Sequence, residues 1–328
     1  MININFVYIL IFFLISLLFF NYYLRFSIEK KINDKNDFNV GYGNTPTGAG
    51  IIFLIIFFLG SVCLFYFDEN FKSFLPNRFY LLYFSILSLG IISFYDDRKP
   101  LDPILRLVIQ FILVFISTSC LDFSNIVLPL KLSMLLAIII WIYLINITNF
   151  IDGLDCFLAT HVLFFILNIF LIKYYLSLDI FSFYLSIIFF PIIFAFIFYN
   201  KPIAKLYMGD AGSIILGYFV GFCFLELVIA KHYLLAISIY IYPLTDCTIT
   251  LIKKVCKGYY PWARLFDYYF LAPVIKGKKS HGFVLKINIV FLLINIFLIF
   301  MQMKISSLFF LLNCIFTIMH LLIYKKNS

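Results

Sequence analysis

Apolar runs dominate this chain, at about 4–24, 49–67, 79–95, 107–121, 132–147, 157–178, 180–199, 213–230, 233–252, 283–303 and 306–324. Most could cross a hydrocarbon layer roughly 30 Å thick as an α-helix, which satisfies its own backbone polar groups. With 64% hydrophobic residues, 12% charged residues, 44 Phe and 23 Tyr, no soluble core requires so much apolar surface. The fold class expected is all-α: a polytopic membrane protein with about 10–11 transmembrane helices, a single integral membrane domain over residues 1–328. The short fourth and fifth runs and the joint near Leu178–Ile180 are the least sharply bounded. The first run has no basic n-region and no small-residue cleavage pattern, so it reads as an anchor rather than a signal peptide.

Charge and cysteine usage narrow the class further. The net charge of +9 is carried by short loops between apolar runs, which points to a membrane surface and not to nucleic acid. The seven cysteines (63, 120, 156, 223, 247, 256, 314) are odd in number, scattered and without CxxC spacing. They suggest neither a disulfide framework nor a zinc site, and read as small apolar packers. Of the 25 basic residues, all but Lys72, Arg78, Lys131, Lys173, Lys231 and Lys304 fall on one side of an eleven-span arrangement. The positive-inside rule then puts the N-terminus outside and the C-terminus in the cytoplasm.

The same parity gathers the polar segments on the cytoplasmic face. They are GYGNTPTGAG (41–50), YDDRKPLDPILR (95–106), NITNFIDGLD (146–155), YNKPIAKLYMGDAGS (199–213) and the basic loop 257–282. Within them Asp96, Asp97, Asp152, Asp155 and Asp210 form a carboxylate set near helix ends, with Asn146, Asn149 and Asn200 close by. An ionised carboxylate taken out of water costs several kcal/mol, so a chain this apolar keeps one where water, a cation or a ligand meets it. Hard oxygen donors suit Mg²⁺, which takes one or two carboxylates and completes its shell with water and phosphate. Lys201, Lys205, Arg264, Lys278, Lys279 and His281 are cations suited to phosphate oxygens. Acids for a metal beside bases for phosphate indicate phosphoryl-transfer chemistry.

Each feature has a plainer reading when taken singly. An Asp–Asp pair in a loop is commonly just solvated, DG is a common turn, and NTPTG is first a turn through Pro46 and Gly48. Gly209 and Gly212 bracket Asp210, which allows a sharp backbone turn into the next helix. The joint pattern, rather than any one motif, carries the functional reading. His161 and His320 lie inside apolar runs and His232 at an outer joint, so they read as packing or interfacial groups, whereas His281 reads as functional. Two roles stay open for Asp246 in YPLTDCTITLIKK: a site residue, or the partner of a cation at the helix end. Glu226, near the outer end of its run, is expected to snorkel.

The series TPTGAG, FYDDRKPLDPILRL, NITNFIDGLDCFLA, NKPIAKLYMGDAGSIILG and a late basic loop ending in SH resembles, in order and across nearly the whole chain, the polyprenyl-phosphate N-acetylhexosamine-1-phosphate transferases. Undecaprenyl-phosphate GlcNAc-1-phosphate transferases and the phospho-MurNAc-pentapeptide translocase belong to that superfamily. The resemblance implies an enzyme of the bacterial cytoplasmic (inner) membrane that moves a sugar 1-phosphate from a UDP-N-acetylhexosamine to a polyprenyl phosphate lipid, releases UMP, and requires Mg²⁺ or Mn²⁺ in its place. It implies Asp210 as the metal ligand, Asp96 and Asp97 as the pair that handles lipid phosphate or metal, and Asp152 with His281 as further catalytic groups. Substrate contacts fall on Asn149, Asp155, Asn200, Tyr207, Arg264 and Lys279, with Asp155, Asn200 and Tyr207 toward the uridine.

Three departures from the family pattern stand out. A single His281 in KKSHG replaces a longer histidine cluster, DGLDC carries Cys156 where Gly is usual, and GYGN lacks the basic residue often found before TPT. The first departure places the chain nearer enzymes that initiate lipid-linked surface polysaccharides such as O-antigen, with the peptidoglycan translocase as the alternative. One-step displacement and a two-step route through an aspartyl-phosphate are both compatible with the motifs. A transporter would hold its ionisable groups near the bilayer midplane, and only Asp246 fits that description. A CDP-alcohol phosphotransferase would place an Ala-Arg pair soon after the DG, which IDGLDCFLATH lacks. Motif order sets no oligomeric state; a homodimer is carried as one expectation.

Overall fold

A computed structural model describes residues 4–32, 45–75, 79–260 and 267–328. Fourteen α-helices follow in order: α1 Ile4–Glu29, α2 Gly50–Phe67, α3 Glu69–Phe74, α4 Phe79–Asp96, α5 Pro103–Ser117, α6 Leu130–Phe150, α7 Phe157–Leu176, α8 Ser182–Asn200, α9 Gly209–Ile229, α10 Tyr233–Ile239, α11 Ile241–Cys256, α12 Ala272–Ile275, α13 His281–Lys304 and α14 Phe309–Lys326. Among the described residues there is no strand. Among the described residues, ten helices are long and apolar enough to cross a membrane singly. This is the all-α polytopic membrane fold expected from the apolar runs.

The ninth run departs from that expectation. In place of one continuous span over 233–252, α10 and α11 meet at a 79° bend about Tyr240. Pro243 explains the break, because a proline in the first turn of α11 has no N–H to give to the Ile239 carbonyl and its ring crowds that carbonyl. The pair still crosses. Residue Gly209 opens α9 at the same end of the bundle as His281, which opens α13 against Asp155, so the chain must return across the full thickness between them. That makes eleven crossings among the described residues, with Ile4 and Lys326 at opposite ends of the bundle.

Helix α9 is the axis of the bundle. It packs on α6, α4 and α2, and its middle is closed on every side. Two glycines permit the α6 approach: a Cβ on Gly217 would stand 2.7 Å from the Ile145 Cα, and one on Gly221 would overlap the Trp141 ring. The Trp141 indole N–H donates to the Tyr218 carbonyl at 2.9 Å, which ties the two helices in the apolar interior. At the end of the bundle away from Gly209, Glu226 is not snorkelling. Its carboxylate accepts from the backbone N–H groups of Phe181 and Ser182, both at 2.7 Å, and from the Ser182 hydroxyl, so it caps the start of α8 from a neighbouring helix. The seven cysteines are free thiols, as their spacing suggested.

Candidate active site

The opposite end of α9 collects the acids. Met208 supplies no side-chain cap for this helix. Asp97, from just beyond α4, takes that place. Its Oδ1 accepts from the Asp210 N–H at 2.8 Å and its Oδ2 from the Ala211 N–H at 3.3 Å, a cap supplied across 113 residues of sequence. Gly209 is required by this contact, since it sits at φ +70° and a Cβ there would stand 2.5 Å from Asp97 Oδ2.

Asp210 itself, on the first turn of α9, is half-exposed and faces two donors. Asn149 Nδ2 donates to its Oδ1 at 3.1 Å and to Ser213 Oγ at 2.9 Å, which joins the end of α6 to the start of α9. Arg106 approaches Oδ2 at 3.4 Å and places its Nε 2.8 Å from Asp96 Oδ2. Asp96 is thus engaged by Arg106 and by the Leu101 N–H at 2.6 Å, and it is buried. The two neighbouring acids have different work: Asp97 turns to α9, Asp96 to the loop and helix that carry Arg106.

The DGLD turn closes the third side. Asp152 is half-buried, and no group among the described residues hydrogen-bonds its carboxylate. Burial, and then the negative charges of Asp210, Asp97 and Asp155, push its pKa well above the usual carboxylate range. Burial followed by the charge of Asp210 raises Asp97 to about 7, against the lowering effect of its two backbone donors. Asp97, Asp152 and Asp210 therefore share one electrostatic site.

The remaining expected residues fall into a layer behind these three. Asp155 is buried; its Oδ2 lies 3.2 Å from His281 Nδ1 and accepts from the Ala204 N–H at 3.2 Å. Asn200 accepts from the Cys156 N–H at 2.7 Å and donates to the Leu206 carbonyl at 2.9 Å. Both polar ends of Asn200 are committed inside the protein, and His281 is buried beside Asp155. Cys156 is buried and adopts φ +63°, the left-handed region that favours glycine, and burial pushes its thiol up to about 12. The Tyr207 backbone pairs with the TPTG loop: Tyr207 N–H donates to Pro46 O at 2.8 Å, Ala49 N–H to Tyr207 O at 3.1 Å, and Gly50 N–H to Met208 O at 2.9 Å. Lys279 is exposed, with its ammonium 5.7 Å from the Phe283 ring centre. Arg264 lies outside the described residues.

Residues 79–228 match the family described as glycosyl transferase family 4. That stretch holds Asp97, Arg106, Asn149, Asp152 and Asp210 together. Among curated proteins the chain is 29% identical to the phospho-N-acetylmuramoyl-pentapeptide-transferase of Staphylococcus haemolyticus over 196 residues, which is 53% of this chain and 59% of that relative. The proteins of the same name from Staphylococcus carnosus and Staphylococcus aureus are each 28% identical over the same shares. The match thus spans about three fifths of the length of these relatives. The chain is thus similar to glycosyl transferase family 4 over residues 79–228 and to phospho-N-acetylmuramoyl-pentapeptide-transferases over about half of its length.

Proposed function

We propose that this protein transfers a sugar 1-phosphate from a UDP-sugar to a polyprenyl phosphate lipid and releases UMP. The observation that carries the reading is the electrostatic site of Asp97, Asp152 and Asp210, built at one end of a membrane bundle inside the region that matches glycosyl transferase family 4. Basic loop residues support a cytoplasmic setting for that end, with the N-terminus outside and the C-terminus in the cytoplasm.

The residues present fit a divalent cation of the Mg²⁺ or Mn²⁺ kind. Among the described residues no three His, Cys, Asp or Glu side chains form a ready-made cage, and Mg²⁺ does not ask for one. What it asks for is one or two carboxylates with room for water and phosphate, and three mutually repelling acids, one of them without a partner, are the chemistry a hard cation relieves. Asp210 and Asp152 would hold it, with Asp97 adjoining. When bound, such an ion neutralises charge developing on the diphosphate.

The chain's own groups do the rest. Arg106 lies beside Asp210, where its guanidinium can meet a phosphate oxygen; Lys201 and Lys205 shortly before Asp210 in sequence, and Lys278 and Lys279 shortly before His281, add exposed cations. The acceptor phosphate is already anionic at neutral pH, so attack on the β-phosphorus of the donor needs no strong base. Asp96, engaged by Arg106 and the Leu101 N–H, is a positioning group in this scheme. Asn149 orients Asp210, and Asp155, Asn200 and His281 brace the DGLD turn from behind.

Protons compete with the metal for the raised carboxylates. Below about 7 Asp97 is protonated, and above it the charged form is available. The Mg²⁺ concentration for half-maximal transfer is therefore expected to fall as pH rises through about 7. A metal requirement independent of pH across that window would contradict the placement of the ion beside Asp97.

For the donor, the relatives back the N-acetylmuramoyl-pentapeptide reading better than the surface-polysaccharide reading that the sequence put first. The lone His281 in KKSHG is the observation that favours a smaller N-acetylhexosamine donor. Purified protein in vesicles with undecaprenyl phosphate and Mg²⁺ is to be given each UDP-sugar in turn, and lipid-linked product measured. Product from the muramoyl-pentapeptide donor alone supports the first, product from a UDP-N-acetylhexosamine alone supports the second, and no product from any donor sinks the transferase reading.

A further inference from the structure

Asp246 was left with two roles by the sequence, and the structure gives it neither. It is fully buried in α11, and among the described residues it forms no ion pair with a lysine at the end of that helix. Its two oxygens accept four hydrogen bonds. Oδ1 receives the Tyr269 N–H at 3.0 Å and the Thr250 hydroxyl at 3.3 Å; Oδ2 receives the Tyr242 hydroxyl at 2.9 Å and the Phe270 N–H at 3.2 Å. A carboxylate placed in an apolar bundle has thus been committed to two consecutive backbone amides of a non-helical segment.

That segment is the floor of the DGLD turn. The Phe270 ring, itself fully buried, stacks on Phe157 at 4.6 Å and 16°. A Cβ on Gly153 would meet Leu271 Cδ2 at 3.3 Å and Phe270 Cε2 at 3.5 Å, so the turn rests directly on these two side chains. Tyr268 lies against Phe150, where the turn leaves α6, with ring centres 6.1 Å apart. Residues 268–271 are joined to α11 through Asp246, which holds their backbone, and through Lys253 and Lys254, whose ammonium groups meet the side chains of Tyr269 and Tyr268 at the hydroxyls and lie 4.5 and 4.8 Å from the ring centres.

We propose that Asp246 is a positioning residue for the DGLD turn: by fixing the Tyr269 and Phe270 amides it sets the height of the platform on which Gly153 sits, and through it the placement of Asp152. An acid inside a transmembrane helix thereby controls a carboxylate at the site without touching substrate. Displacement of a reacting or metal-holding group by about 1 Å costs up to 10²-fold in rate, so the effect belongs to the chemical step.

The kinetic part of this proposal rests on the transferase reading above; the structural part does not. Amide hydrogen exchange of the full-length protein in lipid nanodiscs, followed over 150–157 and 267–272, separates them. Asp246→Ala is expected to speed exchange in both segments, raise the Mg²⁺ requirement about tenfold and leave KM for the lipid acceptor unchanged. Asp246→Asn, with one acceptor oxygen fewer, should give the same pattern more weakly and serves if the alanine variant does not fold. The double variant Tyr242→Phe, Thr250→Val keeps both amide bonds and should resemble wild type. Wild-type exchange at 150–157 in both Asp246 variants overturns the proposal, as does faster exchange with an unaltered Mg²⁺ requirement in an active enzyme. Should the wild-type protein transfer nothing, the transferase reading fails, and exchange at 150–157 alone then decides the placement of the turn.

Discussion

Replacing Asp210→Asn is expected to lower kcat/KM for transfer by about 10³-fold while leaving thermal stability at or above that of the wild type. Both halves follow from one arrangement. Asn keeps the shape of the side chain and an oxygen for the Asn149 amide, so the joint between α6 and α9 survives. What disappears is the negative charge that raises the proton affinity of Asp97 and Asp152. A site that stores like-charge repulsion gains stability when a charge is removed and, under the proposed function, loses the cation that charge would hold. Arg106 retains Asp96 at 2.8 Å, so it is not left without a partner. Transfer kinetics and thermal unfolding in the same detergent decide the matter; an active variant, or one that unfolds well below wild type, contradicts the account.

Asp97 should behave differently, because it serves both the fold and the site. Asp97→Ala strips the cap from α9 and leaves the Asp210 and Ala211 N–H groups without an acceptor, at a cost of about 1–2 kcal/mol in stability. Activity should fall roughly 10²–10³-fold as well, since the first turn of α9 carries Asp210. Asp97→Asn keeps one acceptor oxygen and should recover part of the lost stability without recovering activity. Equal stability of Asp97→Ala and wild type, or full activity of Asp97→Asn, would show that the trans cap and the site are not coupled as described.

The comparison of Asp96 with Asp97 shows where sequence reading reaches its limit. As adjacent acids in YDDR they are indistinguishable by type and spacing, yet one residue of helical rotation sends Asp97 to α9 and Asp96 to Arg106. Arg106 is the residue the sequence missed as a site group. It was counted only as a loop cation, although it is the basic residue that follows the acid pair on the first turns of α5, and its meaning comes from a contact 104 residues away. The membrane class, the apolar spans and the gathering of Asp97, Asn149, Asp152 and Asp210 were legible, because helix length, charge asymmetry and motif order depend on local sequence. The bend at Tyr240 was legible only in part: Pro243 was present, but hydropathy averages over a proline. Asp155 and Asn200 were read as groups facing substrate and His281 as a catalytic group, and the structure buries all three, with Asp155 Oδ2 on His281 and the Ala204 N–H and both polar ends of Asn200 on neighbouring loops. Nothing in a loop sequence states whether its polar residues face outward or inward.

The central claim is that Asp97, Asp152 and Asp210 form a single metal and phosphate site. Label exchange tests it most directly: vesicles holding the protein and its lipid-linked product receive labelled UMP with Mg²⁺, and label is followed into UDP-sugar. The account predicts exchange that stops when the metal is chelated and that falls about 10²-fold or more when any one of the three carboxylates is replaced by its amide. Exchange that continues at the wild-type rate without divalent metal, or in the Asp210→Asn protein, would contradict it.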